Sequence, residues 1–237
     1  MKANTSTKIR LIASALDLCN FGLHATVYNN HYAGIKFKLV DDIDLSIVEN
    51  FIPIEYFNGT FDGDGHTISN LRINSSNNGA GLFGFVVDNG KITNVKLSKI
   101  NVGGLDNVGG FVGYNGGAIA NCSANGTVSG NKTVGGLAGS NSGTIVTCAA
   151  NGNVSSNETV GGLVGSNSTS IENCTASGSV CGDELVCAFV GFNSGTIQDC
   201  TASGTVSGKK YFCGLAILND GTVENCTANV TLLKLSD

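Results

Sequence analysis

Apolar and polar positions alternate over short stretches of this chain, and the whole pattern returns every 26 residues. Cys122, Cys148, Cys174, Cys200 and Cys226 mark the period, and Ile119, Ile145, Ile171, Ile197 and Val223 keep step with them. Three further series share the register. One is Val128, Val154, Val180, Val206 and Leu232; another is Phe111, Leu137, Leu163, Phe189 and Leu215; the last is Asn115, Asn141, Asn167, Asn193 and Asn219. The segments within a repeat are four to six residues long, as in Val-Gly-Gly-Leu-Val-Gly, Thr-Ile-x-x-Cys and Gly-Thr-Val-Ser, with Asn, Ser and Gly between them. That is strand length with turn chemistry in between, and no helical period runs through it. A 26-residue unit cannot bury an apolar face alone, so its neighbours must cover it. The pattern therefore predicts an all-β fold, a right-handed parallel β-helix (β-solenoid) of about eight rungs, the hand following from the rule for parallel crossovers.

Upstream the repeat loosens. Aligning Asp-Ile43-Asp-Leu, Asn-Leu71-Arg-Ile and Asn-Val95-Lys-Leu with Asn-Cys122-Ser-Ala sets rung markers at 43, 71, 95 and 122, ahead of the regular 148, 174, 200 and 226. Stacked at about 4.8 Å, these rungs would span roughly 34 Å. The expected organisation is an N-terminal helical cap over 1–35, irregular early rungs over 36–105 and regular repeats over 106–237, in one continuous domain. In the cap, Ile9, Ile12, Ala13 and Leu16 follow the spacing of one helix face, and Asn20-Phe21-Gly22 reads as its stop. Such a helix would cover the unpaired strand edges of the first rung. The other end closes on Leu232, Leu233 and Leu235 with no comparable cap, a candidate surface for end-to-end self-association through the C-terminal rung. The Asn series is expected to form an amide ladder in left-handed turns shared with Gly117, Gly143, Gly195 and Gly221, Thr169 being the exception.

Composition agrees with a folded, turn-rich chain. Its 237 residues include 34 Gly, one Pro and no Trp, with 41% hydrophobic and 13% charged residues. The net charge of −5 is thinly spread and no basic run occurs, which argues against nucleic acid as a partner. No apolar stretch reaches the roughly 20 residues that span a bilayer, so no membrane insertion is expected. Residues 1–16 carry Lys2, Lys8 and Arg10 among polar residues, without the apolar centre of a secretory leader.

The run Val-Gly-Gly-Leu-Val-Gly-Ser-Asn-Ser-x-x-Ile-Glu-Asn-Cys-Thr-Ala-Ser-Gly over 160–178 resembles the GLUG-motif repeats of bacterial surface and adhesin-like proteins. Leu39–Ser46 and Phe57–Leu71 resemble the lead-in that often precedes such repeats, so the likeness covers about 10–232. Cys187 and Cys213 depart from it, standing where the repeats have Gly, as does Ile217 in place of the last Gly. The resemblance implies a non-catalytic module, found in large adhesin-like proteins and beside domains such as immunoglobulin A peptidases, with attachment or spacer roles.

Candidate chemistry is sparse. The inward Cys series reads as buried thiols acting as small hydrophobes. Cys187 and Cys213, one period apart, are a candidate disulfide. No Cys-x-x-Cys or Cys/His cluster is present, so neither a metal nor another cofactor is expected. Asp41, Asp42, Asp44, Asp62 and Asp64 concentrate negative charge; a calcium site or a catalytic carboxylate pair is one reading, turn polarity the favoured one. His24, His31 and His66 lie apart in sequence, and no nucleophile arrangement accompanies them. Asn-x-Ser/Thr triplets at Asn58, Asn125, Asn131, Asn157 and Asn173 follow from the repeat composition.

Beside the inward Val128 series, Thr127, Asn153, Ser179, Thr205 and Thr231 should stack outward as a candidate ligand-binding ladder, with Ser129, Ser155, Cys181 and Ser207 as a second row. The expected function is a non-catalytic adhesion or spacer module, extracellular or at the cell surface, binding glycan or a host or matrix protein. A stacking assembly protein and a carbohydrate-active β-helix enzyme using Asp62 and Asp64 are the alternatives.

Overall fold

A computed structural model describes residues 8–28, 32–87 and 89–236. The chain forms a parallel β-solenoid of about eight turns with one short helix, and all strand pairs between rungs are parallel. A regular turn contains four strands, exemplified by Ser123–Gly130, Thr133–Gly135, Ala138–Asn141 and Thr144–Val146. Stacking turns these into four sheets. The broad sheet is built mostly from eight-residue strands, the short sheet ends on Tyr211–Cys213, the Asn sheet carries the Asn series, and the leading sheet runs from Lys8–Ile12 to Thr222–Glu224.

The expected inward columns form the core. Ile119, Ile145, Ile171, Ile197, Val128, Val154, Val180, Val206, Phe111, Leu137, Leu163 and Phe189 are buried, while Leu215 and Val223 in the last rung are only partly so. Aromatic side chains fill the wider early rungs: Phe57 lies 4.9 Å from Phe83, and Phe61 5.4 Å from Phe83.

Asn115, Asn141, Asn167 and Asn193 are buried, and each Nδ2 donates to the Oδ1 of the next Asn along the axis at 2.7–2.8 Å, ending at Asn219. The ladder therefore forms as expected, but outside the left-handed region. Positive φ falls instead on the corner before the Cys series: Asn94, Asn121, Thr147, Asn173, Asp199 and Asn225, at 52–57°. It also falls on Gly126, Gly152, Gly178 and Gly204 inside the broad sheet. Gly143 and Gly221 are needed for close approach, since a Cβ there would meet the carbonyl oxygen of the preceding rung.

Two further expectations are corrected. Lys8–Ile12 is a strand in register with Ile35–Leu39, and helix α1 (Ala15–Tyr28) begins later and passes through Asn20–Gly22. Its start is fixed by Ser14 and Asp17: the Asp17 amide donates to Ser14 Oγ at 3.2 Å, and Asp17 Oδ2 accepts from the Ala13 amide at 3.1 Å. Gly22 stays within the helix as a close-approach position, since a Cβ there would meet the Ile52 carbonyl oxygen. Leu18 and Phe21 seal the end of the core, with Phe21 stacked 4.0 Å from Phe37.

The early rung markers also shift. Ile43 pairs with Ile68, and the amide of Asn101 donates to the carbonyl of Leu71, so Leu71 lies in the rung below Ile100 and not below Val95. The extra residue is taken up by a bulge at Lys99, whose φ is 52°, where the register slips between Ala124 and Gly126.

Candidate binding surface

The outward ladder stands on the broad sheet. Thr127, Asn153, Ser179, Thr205 and Thr231 are consecutive register partners, the first four each between a Gly and a buried Val. All are exposed except Thr205, which is half-buried. The row continues through Asn101 to Arg72, two residues that the repeat pattern misses because the Lys99 bulge offsets the count. A second row runs Asn74, Gly103, Ser129, Ser155, Cys181, Ser207 and Leu233.

The face has an unusual charge pattern. The six strands Lys96–Gly103, Ser123–Gly130, Ala149–Ser156, Thr175–Gly182, Thr201–Gly208 and Thr227–Lys234 contain no Asp or Glu, although the chain has 18 acidic residues. Exposed Arg72, Lys96 and Lys99 gather at its early-rung end, with Asp42 near Lys96 and Asp44 near Lys99. Along one margin, a shallow groove runs between Lys96, Ser123, Ala149 and Thr175 on the sheet and Asn121, Thr147 and Asn173 on the left-handed corner. Its lining is hydroxyl, amide and methyl, with the Lys96 ammonium at one end.

The early carboxylates are committed elsewhere. Lys36 Nζ lies 2.9 Å from Asp62, and Lys38 Nζ lies 2.9 Å from Asp64. Asp42 accepts from the Thr67 amide at 2.8 Å and lies 3.2 Å from His66 Nδ1. Asp44 accepts from Asn70 Nδ2 at 2.7 Å and from the Ser46 amide at 2.9 Å. Asp41 accepts from the Asp42 amide at 2.8 Å. The Thr67 amide holds the Asp42 carboxyl below the usual carboxylate range, and the Asn70 amide does the same for Asp44. Partial burial raises Asp62, but Lys36 and Asn94 more than reverse it and leave it lowered. A general acid at neutral pH needs a raised pKa, and these three move the other way. Among the described residues no three or more His, Cys, Asp or Glu side chains converge to hold a metal. His24 lines a hollow beside α1 with Arg10, Asp17 and Tyr32, far along the sequence from the ladder, and His31 lies outside the described residues.

All nine cysteines are free thiols. Those of the inward series are tied to backbone: Cys174 Sγ accepts from the Cys148 amide at 3.3 Å and donates to the Glu172 carbonyl at 3.1 Å. The thiol of the preceding rung, with burial adding, pushes Cys148 and Cys174 up to about 12, so both are neutral packing groups. Cys187 and Cys213 are register partners on the last two strands of the short sheet. No helix among the described residues is long and apolar enough to cross a membrane.

The GLUG motif model matches residues 104–129 and 156–180, so the resemblance read from the repeat is shown at two of its turns. Halomucin of Haloquadratum walsbyi is 39% identical over 109 residues, which is 40% of this chain and 1% of that protein. This chain thus spans a very small part of the relative's length. The crystal structure of a candidate immunoglobulin A1 protease from Bacteroides ovatus superposes with a TM-score of 0.63 at 21% identity, over 98% of this chain and 80% of the other. At that identity the likeness shows the fold alone.

Proposed function

We propose that this chain is a non-catalytic module of a cell-surface protein, of adhesion or spacer type, and that its broad sheet binds glycan. The observation that carries this reading is the in-register face of hydroxyl and amide side chains on the six eight-residue strands, which hold no carboxylate in an otherwise acidic protein. Rungs about 4.8 Å apart repeat at close to the length of one sugar unit, so a polymer laid along the axis meets equivalent groups at each step. Arg72, Lys96 and Lys99 favour an acidic glycan, bearing uronate, sulfate or sialate groups, over a neutral one. Hydroxyls and amides fix orientation, and a preformed rigid sheet loses little freedom on binding. The GLUG motif and the likeness to Halomucin support the surface setting. The commitment of Asp42, Asp44, Asp62 and Asp64 to neighbouring donors supports binding without turnover.

A panel of uronate, sulfated, sialylated and neutral glycans, scored for both binding and cleavage, tests this. Saturable binding of acidic members without products is expected. Cleavage that disappears in Asp62→Ala while the fold is kept would favour the enzyme reading instead.

A further inference from the structure

We propose that Cys187 and Cys213 are a cross-linking site, closed between adjacent rungs of the short sheet by a small-molecule disulfide. In earlier rungs of this sheet the register column is Gly109, Gly135 and Gly161; only the last two strands place thiols there. Register partners on neighbouring parallel strands have their Cα atoms about 4.8 Å apart, within the range that disulfides span.

The five inward thiols each donate to backbone carbonyls, as Cys226 Sγ does to those of Glu224 and Ile197 at 3.0 and 3.6 Å. Cys187 and Cys213 stand at one register position, a turn apart. Cys213 is the half-buried member of the pair and Cys187 the buried one, so an external disulfide reaches Cys213 first, while burial holds the Cys187 thiol above its ordinary pKa.

The chemistry balances with one oxidant molecule. Cys213 thiolate attacks a sulfur of the external disulfide, forming a mixed disulfide and releasing one thiol. Cys187 then loses its proton and attacks Cys213 Sγ, releasing the second thiol. Two protein thiols are oxidised and one external disulfide is reduced to two thiols. The product closes a 26-residue loop around one full turn, next to Phe212 and Leu215, which are only partly buried.

The full chain, incubated with oxidised glutathione under native conditions, should lose two hydrogen masses with no retained glutathione, and peptide mapping should join Cys187 to Cys213. Its thermal midpoint should rise by roughly 5 °C, an increase that a reductant reverses and Cys213→Ser lacks. No mass loss, a glutathione adduct that persists on Cys213, or a link mapped to Cys200 and Cys226 would each overturn the proposal. The mapping uses the unaltered chain, so it decides the matter even if Cys213→Ser folds poorly.

Discussion

Asn167→Ala is expected to lower the stability of the solenoid by about 3 kcal/mol, read as the midpoint of denaturant unfolding. The Asn167 side chain is fully buried and donates to Asn193 Oδ1 and the Thr169 carbonyl while accepting from Asn141 Nδ2 and the Thr169 amide. Alanine removes all four and leaves a gap in mid-stack. The neighbouring amides cannot reach water to recover what they lose. Asn157, whose Nδ2 donates to Asn131 Oδ1 at 2.8 Å, makes a similar pair in the open, and Asn157→Ala should cost less than about 1 kcal/mol.

Asn167→Asp separates hydrogen bonding from volume. A carboxylate at this site would face Asn193 Oδ1 with no proton to donate, so its pKa in the fold rises above the unfolded value of about 3.9. Any stability the protonated side chain supplies is then present below that unfolded pKa and is lost as the pH rises through the folded one. The deficit relative to the parent should therefore be larger at pH 7 than at pH 4. A pH-independent deficit would show that the amide ladder is not what the position requires.

The second large effect belongs to Gly152. Its φ is +143°, and a Cβ there would meet the carbonyl group and the amide nitrogen of Gly126 in the rung below. Gly152→Val adds a branched side chain where backbone already lies, and the broad sheet must part or the strand must rotate. A loss of more than about 3 kcal/mol, or failure to fold, is expected. Gly65 is the control: its φ is +85°, but nothing lies within 4 Å of a Cβ there. Gly65→Ala should carry only the backbone penalty, about 1 kcal/mol. Equal losses at the two sites would mean that conformation, not rung-to-rung crowding, sets the glycine column.

Much of this architecture can be read in the chain because a solenoid writes its contacts into sequence at a fixed spacing. Cys148, Ile145, Val154 and Asn141 each meet their own counterparts one period away, so periodicity in the sequence is contact in the fold. The ladder from Thr127 to Thr231 is legible for the same reason. Asn101 and Arg72 are not, because one bulged residue at Lys99 moves them out of step. The left-handed corner is hidden differently: Thr147 and Asp199 interrupt what would otherwise be an Asn column, although the backbone is the same at each. At the N-terminus, Lys8–Ile12 satisfies a helix spacing over too few residues to exclude a strand, while the Ser14–Asp17 cap marks where the helix begins. The charge pattern of the broad sheet needed the fold, since only the register shows that the acid-free strands are neighbours.

Binding of an acidic glycan by the broad sheet, without turnover, is tested most directly by calorimetric titration of the tightest acidic panel member into the parent chain and into Lys96→Glu, at low and at physiological salt. Saturable binding that weakens with salt and falls roughly tenfold or more in Lys96→Glu is expected, with the glycan recovered intact. Binding that ignores both salt and the Lys96 charge reversal, or a glycan recovered as fragments, would contradict it.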